Sequence, residues 1–369
     1  MRILFVIDGL PGGGAEKVVL TLAEGLLQQG HHVSLFSLRD VCQYSLPAGL
    51  DYRVIKDQSR SPWRKLTELS RRAAQLDKVL RKTDAFDLVL SNLHKTDRIV
   101  AKSRVLDFKK VWFCLHGMFS TSYLGHRTGF DRWLKQRKIK SVYHNRNVVA
   151  VSRAVANDIE QQFGLRLSQL EVIYNPFDTD AIRAAGEQPC EMTGQPYLIH
   201  VGRFHENKRH DRLIEAYAKS GVTAPLLLLG QGKPEQTEKL KALAEKFGVA
   251  ERVIFKGFQS NPYPYVRHAS QLILSSDSEG FGNVLVEALL LDTPAVSTRC
   301  PGGPAEILTG ELARGLADLN AAALADTIKD IYNNPPQIDQ QQLSHFGIVP
   351  ICEQYAALAT SKGAKGEGG

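Results

Sequence analysis

Long apolar runs are missing from this sequence of 369 residues. Its N-terminus is apolar only from Ile3 to Ile7 before Asp8, far short of a signal-peptide core or of the ~20 residues that span a bilayer. A leader and a membrane span are therefore not expected, and the chain reads as cytosolic, free to sit on a membrane surface. Cysteine is also scarce. The five residues Cys42, Cys114, Cys190, Cys300 and Cys352 are scattered without C-x-x-C spacing, which supports neither a disulfide framework nor a zinc site. The dinucleotide fingerprint G-x-G-x-x-G and the phosphate-binding G-K-[ST] loop are both absent, which turns the reading away from nicotinamide cofactors and kinase-like use of ATP.

What is present is ordinary globular usage, 43% hydrophobic and 23% charged, and it excludes disorder, collagen and coiled coil as the main architecture. The length suits two domains. The net charge of +7 is unevenly spread: Arg98 to Arg146 holds twelve Lys/Arg against Asp107 and Asp131, leaving the rest slightly acidic. Such a block suits an anionic partner, whether lipid, acidic glycan or nucleic acid.

Apolar runs of strand length alternate with helical periodicity. Residues 2–7 precede a glycine turn and a helix-period stretch, Glu16 to Gln29, with apolar residues at 18, 19, 22, 23, 26 and 27. Strands follow at 32–38, 87–90, 111–115, 148–151 and 171–174. The rhythm restarts after Asn175-Pro176-Phe177, with strands at 197–201, 225–229, 253–256, 271–275 and 294–297. The pattern predicts α/β architecture with two doubly wound, Rossmann-like domains facing across a cleft. The expected divisions are 1–175, a linker at 176–195, 196–340, and a C-terminal helix with a frayed tail at 341–369.

Three segments carry candidate chemistry. Gly9-Leu-Pro-Gly12-Gly13-Gly14 opens the first helix, where backbone N–H groups can approach a phosphate or sugar. Val201-Gly202-Arg203 with Lys208 puts two cations at the carboxyl end of the second sheet, and two fixed cations can hold a departing diphosphate in place of a divalent metal. No Asp-x-Asp is expected anywhere in the chain to hold Mg²⁺ or Mn²⁺. Ser278-Glu279-Gly-Phe281-Gly282-Asn283-Val284-Leu-Val-Glu287 reads as a strand entering a flexible loop and a helix. Of its two glutamates, one suits the diol of a ribose and the other the hydroxyls of a sugar.

Taken in order, Gly13-Gly14-Ala-Glu16, Val149-Ala-Val-Ser152, Val172-Ile-Tyr-Asn175-Pro176, Val201-Gly-Arg203 with Lys208, and Glu279 to Glu287 resemble glycosyltransferase family 4 from about residue 2 to 310. The resemblance implies the two-domain GT-B fold, a nucleotide-sugar donor, retention at the anomeric carbon and no metal or other cofactor. It implies that Arg203 and Lys208 bind the donor diphosphate and that Glu287 binds the ribose. Glu279 and the backbone of Phe281, Gly282, Asn283 and Val284 would hold the sugar. Gly13 and Gly14 would approach the donor by backbone, as Gly202 would from its own loop. His116 matches a histidine near the sugar's 6-position, and Phe258 lies where the family holds the base.

The expected reaction moves a hexose or N-acetylhexosamine from a UDP-sugar to a hydroxyl of a cell-surface glycan, such as lipopolysaccharide core or a lipid-linked saccharide. UDP is the product. Competing readings are a nucleotide-sugar epimerase of the same architecture and a non-catalytic basic-patch binder. Trp133, Lys135, Arg137, Lys138 and Lys140 are expected on a cationic amphipathic helix that touches an anionic membrane at the cytoplasmic face. No nucleic-acid reading motif accompanies the charge.

Overall fold

The computed structural model describes residues 1–57, 64–125 and 127–361. The chain divides into two compact units: residues 1–176 together with the chain end from Phe346, and Phe177–His345. The frayed tail expected at the C-terminus lies largely outside the described residues.

The first unit contains seven parallel strands: β1 (Arg2–Ile7), β2 (His32–Ser37), β3 (Asp51–Val54), β4 (Leu88–Asn92), β5 (Val111–Leu115), β6 (Asn147–Ala150) and β7 (Gln169–Val172). Their order is β3-β2-β1-β4-β5-β6-β7. β4 and β5 are buried along their whole length, as expected of a parallel sheet covered on both faces, and this is why they read as unbroken apolar runs. Ile3, Phe5 and Ile7 share one face of β1 and pack with Leu88, Leu90, Trp112 and Cys114. Helix Gly14–Gln28 lays Val19, Leu22, Ala23 and Leu26 on that face. Each large apolar side chain so buried contributes about 1.5–3 kcal/mol.

The second unit holds β8 (Leu198–Val201), β9 (Leu226–Leu229), β10 (Val253–Gly257), β11 (Gln271–Leu274), β12 (Ala295–Thr298) and β13 (Leu316–Ala317). All pair in parallel, in the order β10-β9-β8-β11-β12-β13. Its core joins Leu198, Leu226, Leu228, Ile273 and Val296 to Leu213, Tyr217, Leu324 and Ile328 from flanking helices.

Two segments behave differently from the sequence reading. Residues 176–195 contain helix Thr179–Gly186, which packs on helices Tyr263–Arg267 and Asn283–Leu290. Phe177 and Ile182 are buried there, so this stretch is part of the second unit's fold. The C-terminal helix Ile348–Ala357 joins the first unit, where Ile351, Cys352 and Tyr355 complete the core beside helix Gly14–Gln28.

Candidate active site

In an open parallel sheet, ligands bind at the carboxyl ends of strands where the winding direction reverses. In the second unit that point lies between β8 and β11, with β9 and β10 to one side and β12 and β13 to the other. The loop after β8 carries Gly202, Arg203 and Lys208, and the loop after β11 carries Glu279. The two candidate segments are thus brought together by topology, although 71 positions separate Lys208 from Glu279.

Lys208 Nζ donates to Glu279 Oε1 at 2.6 Å, and Ser276 Oγ donates to the same oxygen. Glu279 Oε2 has no partner among the described residues. The two side chains are only 25% and 11% exposed, so solvent screens the pair weakly and a carboxylate oxygen is held at a fixed point. Arg203 is exposed and has no ion-pair partner among the described residues, which leaves its full charge for a ligand. Glu287, on helix Asn283–Leu290, accepts from Tyr263 Oη at 3.0 Å. Gly282 precedes that helix with φ 99° and supplies no side-chain cap of its own, and the amides of Asn283 and Val284 lie in the first turn of the helix. Phe281 is buried with its ring 6.3 Å from that of Phe177, which anchors the loop. Phe258 is 65% exposed, an unburied ring beside the end of β10.

One determinant escaped the sequence reading. Gly302 adopts φ 132°, and a Cβ there would lie 2.1 Å from the Glu279 carbonyl oxygen. The loop after β12 can support the Glu279 loop only because this residue has no side chain.

In the first unit, Gly13 and Gly14 begin helix Gly14–Gln28, and Tyr44 Oη donates to the Gly13 carbonyl at 2.8 Å. His116 follows β5 and its Nε2 lies 2.9 Å from Asn92 Oδ1, at the end of β4. Asn92 Nδ2 donates to Leu90 O at 3.1 Å, which turns Oδ1 toward the imidazole. His116 therefore carries its proton on Nε2 and presents Nδ1 as an acceptor. Burial holds its pKa down at about 4, so the ring is neutral at pH 7. Asn92 was not singled out from sequence.

A second network was also missed. Asp97 accepts from Ser91 Oγ at 2.5 Å and Tyr143 Oη at 2.7 Å, and the Tyr143 oxygen lies 3.0 Å from His94 Nδ1. Burial pushes Asp97 up to about 8 and His94 down to about 4.

Contrary to the expectation, an Asp-x-Asp does occur in the chain, at Asp178-Thr179-Asp180, at the start of the helix that packs on helix Asn283–Leu290. Asp178 caps helix Thr179–Gly186 by accepting from the Ala181 amide at 2.9 Å, a local structural task for that side chain.

The basic block contains helix Gly129–Tyr143, which buries Ile139, Val142 and Tyr143. Its apolar surface is not one continuous stripe: Phe130, Trp133 and Leu134 are exposed near its start at 72%, 45% and 37%. Phe130 stacks on Trp133 with centroids 5.4 Å apart, and the Arg137 guanidinium lies 4.9 Å from the Trp133 ring. Lys138 and Lys140 are exposed with Arg137. Lys135 differs from the other patch cations: its ammonium lies 4.2 Å from the Tyr123 ring, and it is half-buried.

Two Rossmann-like sheets with the donor-type motifs on the second define a GT-B glycosyltransferase. Comparison with known proteins agrees: the sequence model described as Glycosyltransferase Family 4 matches residues 12–181, and that described as Glycosyl transferases group 1 matches 186–347. The chain belongs to this glycosyltransferase family. It is 26% identical over 303 residues to an N-acetylgalactosaminyltransferase of Campylobacter jejuni that acts on a diphospho-undecaprenol-linked saccharide, covering 82% of this chain and 81% of that protein. A lipopolysaccharide 1,6-galactosyltransferase of Escherichia coli is 32% identical over 165 residues, 42% of this chain and 44% of the relative. Among solved structures, Anabaena HepE in complex with UDP and glucose superposes with a TM-score of 0.77 at 21% identity, covering 98% of this chain and all of that one. Among the described residues no helix is long and apolar enough to cross a membrane.

Proposed function

We propose that the protein transfers a hexose or N-acetylhexosamine from a UDP-sugar to a hydroxyl of a lipid-linked or lipopolysaccharide-core glycan, with retention and without a metal ion. The observation that carries this reading is the pairing of Lys208 with Glu279 at the β8–β11 switch point, where the β8 loop also carries Arg203, without an ion-pair partner among the described residues. Arg203 offers a bidentate fork and Lys208 a point charge to the diphosphate, and their charge stabilises it as it departs. Glu279 Oε2 is left to accept from sugar hydroxyls, and Glu287 from the ribose diol. The neutral His116 lines the sugar's side of the site without introducing a charge.

The acceptor class is supported by the names of the two relatives, which act on lipid-linked or lipopolysaccharide glycans. The exposed Phe130–Trp133 pair beside Arg137, Lys138 and Lys140 supports peripheral attachment to an anionic membrane at its cytoplasmic face.

A panel of UDP-, GDP- and ADP-sugars tests the reading by nucleotide release with and without a short lipid-linked acceptor. Release from a UDP-sugar, an α-linked product from an α-linked donor, and full rate in EDTA are expected. A rate restored only by Mg²⁺ or Mn²⁺ overturns metal independence, and interconversion of free UDP-sugars without transfer identifies an epimerase.

A further inference from the structure

A third carboxylate ties the two donor loops together, and none of the motifs includes it. We propose that Asp277, held by Arg212 and Arg209, is a positioning residue that fixes the loop carrying Lys208 against the loop carrying Glu279. The proposal rests on the donor reading above and assigns a further residue to that site.

The two loops are joined in register. The Asp277 amide donates to Asn207 O at 2.9 Å, Asn207 Nδ2 to Ser278 O at 2.7 Å, and Ser278 Oγ to Asn207 Oδ1 at 3.0 Å. Ser275 Oγ donates to Lys208 O at 2.7 Å. Lys208 and Glu279 meet at the end of this series, so the position of their ion pair follows from the register.

Charge locks the register at Asp277. Arg212, on helix His210–Ser220, is 6% exposed. Its guanidinium donates to Asp277 Oδ1 at 2.5 Å and to Ser275 O at 3.1 Å. Burying a guanidinium is costly unless its charge is paired. The neighbouring acids on its own helix are taken: Asp211 pairs with Arg209 and Glu215 with Lys219. Arg209 also reaches both Asp277 oxygens at 3.1 Å. It does so from a left-handed backbone, φ 50°, a strained conformation that persists only where surrounding contacts over-determine it. Simple loop closure requires neither a buried guanidinium nor a strained arginine, whereas holding two cation- and carboxylate-bearing loops at fixed separation uses both.

The test uses the full chain with UDP as probe. Asp277→Ala and Asp277→Asn are compared with wild type by calorimetric UDP titration, thermal midpoint and amide hydrogen exchange, with Asp277→Glu as the conservative variant. Asp277→Asn keeps a hydrogen bond for Arg212 and so serves if Asp277→Ala does not fold. The expected result is a UDP Kd raised about tenfold, on the scale of one charge-assisted contact, with faster exchange over 203–209 and 276–282 and partial recovery in Asp277→Glu. Unchanged UDP affinity in a folded Asp277→Asn overturns the positioning role, as does a lowered midpoint with unchanged affinity. Wild-type chain that binds no UDP overturns the donor reading itself, and the proposal with it.

Discussion

Lys208 Nζ and Glu279 Oε1 stand 2.6 Å apart, so the lysine expected to hold a diphosphate is shared with the carboxylate expected to hold the sugar. Binding a donor therefore redistributes Lys208 between two anions. A donor bearing its sugar gives Glu279 new hydrogen bonds in return, whereas bare UDP does not. Glu279 is accordingly expected to favour the sugar nucleotide over the product. Glu279→Gln removes the competing charge, and UDP affinity is expected to rise roughly fivefold, a modest share of the Coulomb energy of charges a few ångströms apart. Turnover of the UDP-sugar is expected to fall on the order of 100-fold in the same variant. Calorimetry with UDP and steady-state rates measure the two effects, and a loss of UDP affinity in Glu279→Gln contradicts the competition.

Arg203 and Glu287 are expected to matter in different ways. Arg203→Ala removes the exposed cation and is expected to cut turnover about 100-fold, the scale of one preorganised electrostatic contact. Glu287→Ala is expected to do the same by losing the ribose. Tyr263→Phe, which takes away only the hydroxyl that Glu287 accepts, is expected to cost less, mainly as a higher KM. The thermal midpoint should barely move in Arg203→Ala, since no partner among the described residues is lost. Near-wild-type rates at saturating donor in either alanine variant would remove that residue from the site.

The pH dependence of stability follows from buried groups in both units. Burial lowers His94, His116 and His200 to about 4 and His210 to about 2. Between pH 6.5 and about 4 the unfolded chain binds protons that the folded histidines refuse, so stability falls as pH drops through this window. Each histidine adds up to ~1.4 kcal/mol per pH unit. Asp97 acts with the opposite sign. Its folded pKa, raised to about 8, gives stability that is present below the unfolded value and is lost as pH rises through 8. Four histidines outweigh one aspartate on the acid side, and Asp97 alone of these five acts above pH 6.5. The thermal midpoint is thus expected to peak near pH 6.5, and Asp97→Asn is expected to flatten the alkaline limb. A midpoint in that variant with the same slope between pH 6.5 and 8 as wild type argues against the raised carboxyl.

Much of this architecture could be read from sequence because parallel strands buried on both faces leave unbroken apolar runs, as Leu226–Leu229 does. β3 was missed for the converse reason. Asp51–Val54 is an edge strand whose four residues alternate between exposed and half-buried, so no apolar run marks it. The two segments that carry Lys208 and Glu279 stood out in the sequence because each sets glycines beside charged residues directly after an apolar strand-length run. Gly302 was not, since a glycine in Cys300-Pro-Gly-Gly-Pro304 looks like any turn until its approach to Glu279 is seen. Asp97 and Asp277 lie in no motif of the sequence. Their partners Tyr143 and Arg212 stand 46 and 65 positions away, and only the tertiary fold brings them together.

Phe130 and Trp133 stack in the open at the start of helix Gly129–Tyr143, an arrangement that leaves apolar surface in water. Exposed cations accompany them in Arg137, Lys138 and Lys140. Aromatic rings with flanking lysine and arginine suit the headgroup layer of a bilayer, and each cation near an anionic surface adds ~1 kcal/mol. Lys135 is held against Tyr123 and should contribute less than the other three. Sedimentation with vesicles containing anionic lipid is expected to capture the protein at low salt and release it at high salt, as screening shortens the reach of the cations. Arg137→Glu/Lys138→Glu/Lys140→Glu is expected to abolish capture, Phe130→Ser/Trp133→Ser to leave only a salt-labile fraction, and Lys135→Ala to change little. Equal binding to neutral and anionic vesicles would make the aromatic pair the sole anchor. No capture by either leaves the face for a soluble acidic acceptor.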